Sequence, residues 1–591
     1  MSVNLPSVDP TGRDKLELRR SQQLEFLLTV LRSIDQSNGN PEIIYPLLRQ
    51  NLDLLDLDII EVFKNWANDT FVKIDHAQQK LIARDIFNLG NLIQEFPLGN
   101  KAVNMEWSIE CYDQALKVFT VSADPENWGA IQNSLAAAYG KRIRGDRAEN
   151  LERSISGYES ALHVYTQTDF PIQWATTQNN LAVAYSDRIR GDRAENLERS
   201  IHCYESALQV RIQTDFPIDW AMTQNNLAVA YSDRIRGDRA ENLEQSIHCY
   251  ESALQVCTQT DFPTDWATTQ NNLANAYSDR IRGDRAENLE QSINCYESAL
   301  QVRTQTDFPI DWAMTQNNLA IAYGKRIRGN RAENLERSIN FCKSALQVRT
   351  QSDFPIQWAT TQNNLAVVYS DRIRGDRADN LERSIDCYES ALQIRNQTDF
   401  PIDWATTQNN LAVVYSDRIR GDRADNLERS INYYREALEV YTPEAFPHEW
   451  AKIQVDLAQF SIENLRNYQV ATKHLQSAYE HLLTNNNDTG LLAQTMFELA
   501  RCFHQTGCLE QSKIYFKDSI RLYQRLERPT QVAEATSALG NLELQMGLLD
   551  DARLHLQTAL EFYQAAGNLE RVESIQELQQ YLPVTSGAAR S

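Results

Sequence analysis

The side chains in this sequence with chemical potential are its histidines, cysteines, carboxylates and paired carboxamides, and their spacing decides what each can do. The nine histidines form no HExxH pair, the spacing that sets two imidazoles on one helix face for zinc. No GxSxG, Walker or GxGxxG motif occurs, so no nucleophile elbow or phosphate cradle is expected. The nine cysteines include no CxxC, and Cys203, Cys249, Cys295 and Cys387 recur at one place in successive repeats. They therefore read as reduced packing thiols rather than disulfides or a zinc site. His202 and His248 recur in the same way and read as surface residues. The carboxylates also follow the repeat, as caps and solvated faces, whereas an enzyme would break the pattern at one unique place. No catalytic residue, cofactor site or metal site is expected.

Two motifs remain. Arg-Gly-Asp occurs at 144–146, 190–192, 236–238, 282–284, 374–376 and 420–422. Its aspartate reads as a helix N-cap rather than an adhesive signal, and Asn330, which replaces it in one unit, is an equally good cap. The neighbouring Arg188, Arg190 and Arg193 lie beside Asp187, Asp192 and Glu195, which predicts a ladder of surface ion pairs between turns. The second motif is the pair Asn179-Asn180 with Val183. It returns as Asn225/Asn226/Val229, Asn271/Asn272, Asn317/Asn318/Ile321, Asn363/Asn364/Val367 and Asn409/Asn410/Val413. Asparagine is a mediocre helix former. Its carboxamide both donates and accepts, so it can pair with a peptide backbone without reading side chains.

These motifs are positioned by a 46-residue repeat. Tryptophans stand at Trp128, Trp174, Trp220, Trp266, Trp312, Trp358, Trp404 and Trp450, and the units starting at Trp174 and Trp220 differ at five positions. Near-identical units meet near-identical neighbours, which is the situation in a stacked solenoid. Each unit reads as two helices. The first places Trp174, Gln178, Leu181 and Tyr185 on its core side, leaving Thr176, Asn179, Asn180 and Val183 opposite. Gly191 breaks it, and Asp192 with Glu195 has capping-box spacing for a second helix. That helix buries Leu197, Ile201, Tyr204, Ala207, Leu208 and Ile212 and closes at Asp215-Phe216-Pro217.

Leu181-Ala182-x-x-Tyr185 followed by Ser200-x-x-x-Tyr204-x-x-Ala207 resembles the tetratricopeptide repeat signature, with turns longer than in that family's usual 34-residue period. The 46-residue form is similar to arrays of filamentous cyanobacteria that commonly precede a caspase-like (CHAT) peptidase domain, although only ten residues follow Tyr581 and that domain's chemistry is not carried over. The resemblance implies an all-α solenoid, a superhelix of antiparallel helix pairs. It also implies a concave groove lined by first-helix residues, with Asn180 and its equivalents facing it. The alternative role for the amides is to bond to one another across adjacent helices.

The phase divides the chain. Residues 1–81 are expected to form an N-terminal helical cap and 82–449 eight units, the first degenerate. Residues 450–490 read as a shortened unit with a linker at Thr484–Gly490. Two 40-residue units and a closing helix are expected over 491–582, then a disordered tail at 583–591. A net charge of −22 argues against nucleic-acid or anionic-lipid partners. No run of 18 apolar residues and no apolar core within Met1–Arg20 occurs, so a soluble cytoplasmic protein is expected. Three functions follow in order: a scaffold binding a protein or peptide segment through the asparagine groove, a regulatory adaptor or sensor for a caspase-like peptidase encoded separately, and an enzyme of unrecognised type.

Overall fold

The computed structural model describes residues 10–485 and 488–582. Among these there are 26 α-helices, one short 3-10 turn and no strand. The fold is an all-α, tetratricopeptide-like solenoid. It divides into two compact units, Met1–Thr304 and Gln305–Ser591.

The first unit opens with α1 (Pro10–Ser37), α2 (Pro41–Gln50), α3 (Leu57–Lys73), α4 (His76–Glu95) and α5 (Lys101–Ala115). These pack around Leu27, Ile34, Ile59, Phe63, Ile86 and Trp107, all fully buried. The regular pairs follow: α6 (Pro125–Lys141) with α7 (Arg147–Leu162), α8 (Pro171–Asp187) with α9 (Arg193–Leu208), α10 (Pro217–Asp233) with α11 (Arg239–Leu254), and α12 (Pro263–Asp279) with α13 (Arg285–Ala299). The second unit continues with α14 (Pro309–Lys325), α15 (Arg331–Leu346), α16 (Pro355–Asp371), α17 (Arg377–Leu392), α18 (Pro401–Asp417), α19 (Arg423–Val440), α20 (Pro447–Glu463) and α21 (Tyr468–Asn485). Five helices close it: α22 (Thr489–Gln505), α23 (Leu509–Arg525), α24 (Pro529–Gln545), α25 (Leu549–Ala565) and α26 (Leu569–Gln579).

Each element starts where its residues allow. Proline opens the first helix of every regular pair, where its missing N–H is not needed and its φ is already helical. The second helix is capped by the Arg-Gly-Asp aspartate: Glu195 N donates to Asp192 Oδ1 at 2.7 Å. Asn330 does the same work for Glu333 N at 3.0 Å. Gly191 turns the chain at φ +82°, a conformation that side-chain-bearing residues resist.

Leu181, Ala182, Ala184 and Tyr185 of α8 are buried against Leu197, Ile201, Tyr204 and Ala207 of α9. The face drawn from periodicity needs two adjustments. Trp174 and Gln178 are only half-buried while Ala175 and Thr177 are buried, because the helix turns the alanine beside the tryptophan toward its partner, as Ala221 meets Ala253 and Cys257 in the next pair. Ile212 is 44% exposed, because α9 ends at Leu208 and the chain has already turned away. Within 484–490, Thr484 and Asn485 finish α21, and Asp488 caps α22 by accepting from Gly490 N and Leu491 N. Residues 486–487 and the expected tail at 583–591 lie outside the described residues. No helix among the described residues is long and apolar enough to cross a membrane.

Candidate functional site

Three sets of side chains join one pair to the next, and they determine what is left exposed on the first helices. The first set sits at the turn inside each pair. Arg188 Nε and Nη2 donate to Glu152 of the preceding pair, both at 2.8 Å. Arg234 and Glu198 repeat this contact, as do Arg280 and Glu244, and in the second unit Arg372 and Glu336, then Arg418 and Glu382. The guanidinium holds each of these glutamates below its usual carboxylate range. Outside this fork Arg190 reaches Glu149 at 3.1 Å, so the predicted ladder between turns is present. Asn196, 2% exposed, closes the turn by donating to Arg190 O at 2.9 Å and accepting from Arg188 at 3.4 Å. Periodicity gave no hint of that role.

The second set lies in the seams between successive first helices within each unit, at a position occupied by Tyr165, Arg211 and Cys257 in the first unit and by Arg349, Arg395 and Tyr441 in the second. Arg211 is 9% exposed. Its guanidinium donates to Thr176 Oγ1 of α8 and Thr223 Oγ1 of α10, each at 3.0 Å, with Asp219 Oδ1 at 3.6 Å. Arg395 spans its seam likewise, to Thr360 at 3.2 Å, Thr407 at 2.9 Å and Asp403 at 3.3 Å. At Arg349 the first threonine is replaced in sequence by Met314, and among the described residues the guanidinium donates to Thr361 at 3.0 Å. Burial lowers the pKa of these guanidiniums from its ordinary value, and the aspartate, where present, opposes the shift. Helical periodicity does not mark these arginines. The available signal was a repeat position that alternates between a cation, a thiol and a phenol.

The third set is the asparagine pairs, and the structure separates their two members. The first member turns into the seam. Asn271, Asn317, Asn363 and Asn409 are buried, and Asn179 and Asn225 half-buried. Asn179 Oδ1 lies 3.4 Å from the Thr223 hydroxyl of the next pair, Asn363 Oδ1 lies 3.3 Å from that of Thr407, and Asn317 accepts from Asn364 at 3.1 Å. The second members, Asn180, Asn226, Asn272, Asn318, Asn364 and Asn410, are half-exposed. Asn180 and Asn272 accept from the preceding asparagine at 3.4 Å. Val183, Val229, Val367 and Val413 beside them are 40–42% exposed, and Ile321 is half-buried. Asparagine 275 takes the valine position in α12 and is exposed.

In the C-terminal repeats a cleft of about 400 Å³ is lined by Phe497, Arg501, His504, Asn541 and Arg571. Glu498 at 2.9 Å and Glu534 at 3.5 Å already balance its two guanidiniums.

A tetratricopeptide repeat profile matches residues 174–217, 220–263, 266–309 and 312–355. A second tetratricopeptide repeat profile matches residues 491–565. These segments are tetratricopeptide repeats. Residues 349–492 match the profile described as soluble NSF attachment protein, SNAP. No curated protein matches the chain. Among solved structures, a human IFIT1 dimer with PPP-AAAA is 15% identical, with 81% of this chain and 94% of that one covered at a TM-score of 0.41. The apo form of RapI is 14% identical, covering 66% and 97% at 0.43. The APC/C hetero-tetramer Cut9-Hcn1 is 12% identical, covering 95% and 96% at 0.39. Tetratricopeptide solenoids of this kind generally mediate contacts between proteins.

Proposed function

We propose that this protein is a non-catalytic interaction scaffold whose first-helix face holds an extended segment of another protein. The observation that carries this reading is the division of labour within the asparagine pairs. Asn179, Asn317 and Asn363 work in the seams, while the Nδ2 groups of Asn180, Asn226 and Asn272 donate to no protein atom among the described residues, and these half-exposed residues stand near Val183 and Val229. A free amide donor next to a shallow apolar ledge is suited to a peptide carbonyl flanked by a small apolar side chain. Helices stack about 10 Å apart and an extended chain advances about 3.3–3.6 Å per residue. The three rungs of the first unit therefore match a segment of roughly nine residues, and Asn318 and Asn410 offer two more in the second, where Asn364 already donates to Asn317.

The test is the triple replacement of Asn180, Asn226 and Asn272 by alanine, with partners captured from host extract by wild-type and variant chains side by side. Alanine is the better helix former, so folding should hold or improve. Loss of about 0.5–1.5 kcal/mol per net hydrogen bond should weaken capture by one to three orders of magnitude. Undiminished capture by a folded variant would remove these asparagines from the binding surface.

A further inference from the structure

The seams of the first unit contain their own comparison. Between α8 and α10, Arg211 fills a receptor made of Thr176, Thr223 and Asp219, with Asn179 Oδ1 3.4 Å behind the Thr223 hydroxyl. Between α10 and α12 the same receptor is built without its cation. Cys257 stands where Arg211 stood, and Met222 where Thr176 stood. Two of its three acceptors remain, a hydroxyl and a carboxylate on α12, while the α8 hydroxyl has no counterpart on α10. Thr269 is buried in the place of Thr223. Asp265, in the place of Asp219, is exposed and makes no ion pair among the described residues. Asn225, in the place of Asn179, has an Oδ1 sealed from solvent with no donor. A buried carbonyl without a donor is destabilising, and it is the kind of defect a bound group relieves.

We propose that this seam is a receptor for one guanidinium of a partner protein, which would pair with Asp265 and donate toward Thr269 and Asn225, its methylene stem lying along Met222. The chain itself shows the fit, since Arg211 and Arg395 make the equivalent contacts with Thr223 and Asp219, and with Thr407 and Asp403. A planar fork of donors meets a carboxylate and a hydroxyl together; a compact ammonium cannot span both. Met222 and Asp265, both exposed, are where the seam meets solvent, beside the ridge proposed above for the partner. Arg211 already reaches that ridge at Thr176, and Met222 on the same ridge is 49% exposed. The inference thus deepens the partner-binding reading by giving the segment an arginine at the rung of Asn226.

Met222 is one of six methionines, which makes it a reporter. The full chain, labelled with ¹³C at the methionine methyls, is titrated with N-acetyl-arginine amide, with N-acetyl-glutamine amide and N-acetyl-lysine amide as controls. The expected result is a saturable shift of the Met222 methyl with the arginine compound and none at Met314, whose seam Arg349 already fills. Asp265→Asn, at an exposed position, should weaken binding at least tenfold, and Cys257→Arg, which supplies the guanidinium in cis, should abolish the shift. A Met222 methyl that stays still, moves equally with the glutamine or lysine compound, or still responds in Cys257→Arg would overturn the proposal. The triple asparagine variant separates the two readings. If it keeps the Met222 response and captures partners undiminished, the asparagine ladder fails and the seam stands; if it loses capture while wild-type Met222 is silent, the reverse holds.

Discussion

Replacing Arg234 with methionine tests how strongly one pair is joined to the next. The guanidinium forks onto Glu198 with both contacts at 2.8 Å, and the two side chains are 29% and 24% exposed. Fully exposed pairs contribute about 0.2–1 kcal/mol, and breaking a fully buried one costs about 3–5 kcal/mol. This pair lies between those limits. Methionine also forfeits the cation over Tyr231, 6.0 Å from the ring centroid, and leaves Glu198 half-buried without its partner. A loss of about 1.5–2.5 kcal/mol is expected, concentrated at the junction of α9 with α10 because each repeat is stabilised by its neighbours. Amide exchange in those helices should accelerate roughly 10- to 60-fold, since each 1.4 kcal/mol is a factor of ten. A double-mutant cycle with Glu198→Gln should return a coupling of about 1 kcal/mol or more. Exchange within about twofold of wild type, or a coupling under about 0.3 kcal/mol, would refute the claim that the fork joins the repeats.

The same forks set the response to acid. Because arginine holds Glu198, Glu244 and Glu382 below the ordinary carboxylate range, their contribution is complete above about pH 5 and disappears as pH falls below about 4; urea midpoints measured from pH 6 to pH 3 should fall, and fall less in Glu198→Gln. Asp192→Ala should cost about 0.5–2 kcal/mol and Asp192→Asn almost nothing, because Asn330 already caps in the aspartate's place; thermal unfolding of the two variants decides it. Gly191→Ala should destabilise by about 1–2 kcal/mol through its positive φ alone, since an added Cβ meets nothing closer than 3.8 Å; a neutral result in denaturant unfolding would mean the turn relaxes.

The helix pairs, their caps and their turns were legible because each is written within about 20 consecutive residues: proline at the start, glycine at the break, aspartate at the cap. What periodicity missed acts over longer separations. Arg188 meets Glu152 across 36 residues, Arg211 meets Thr176 across 35, and Thr223 meets Asn179 across 44. A helical wheel treats its helix as lying against one partner, whereas each first helix here also has a neighbour along the stack. The wheel therefore put both asparagines of a pair opposite the core. The 100° between consecutive residues is what lets one enter a seam while the next remains half-exposed. Comparing equivalent positions among units would have exposed the seam residue, since a site that accepts Arg211, Cys257 and Tyr441 reports on its surroundings rather than on its own helix.

The recurring thiols have a consequence for chemical reactivity. Cys203 and Cys249 are buried, and burial pushes each up to about 12, while Cys508 is exposed. Alkylating agents attack the thiolate, so at neutral pH the two buried sulfurs are both shielded and protonated. When a repeat opens, its thiol returns toward an ordinary value near 8.5 and becomes reactive. The modification rate at each cysteine is then a clock for the opening of its own repeat, with Cys508 as the reference that never closes.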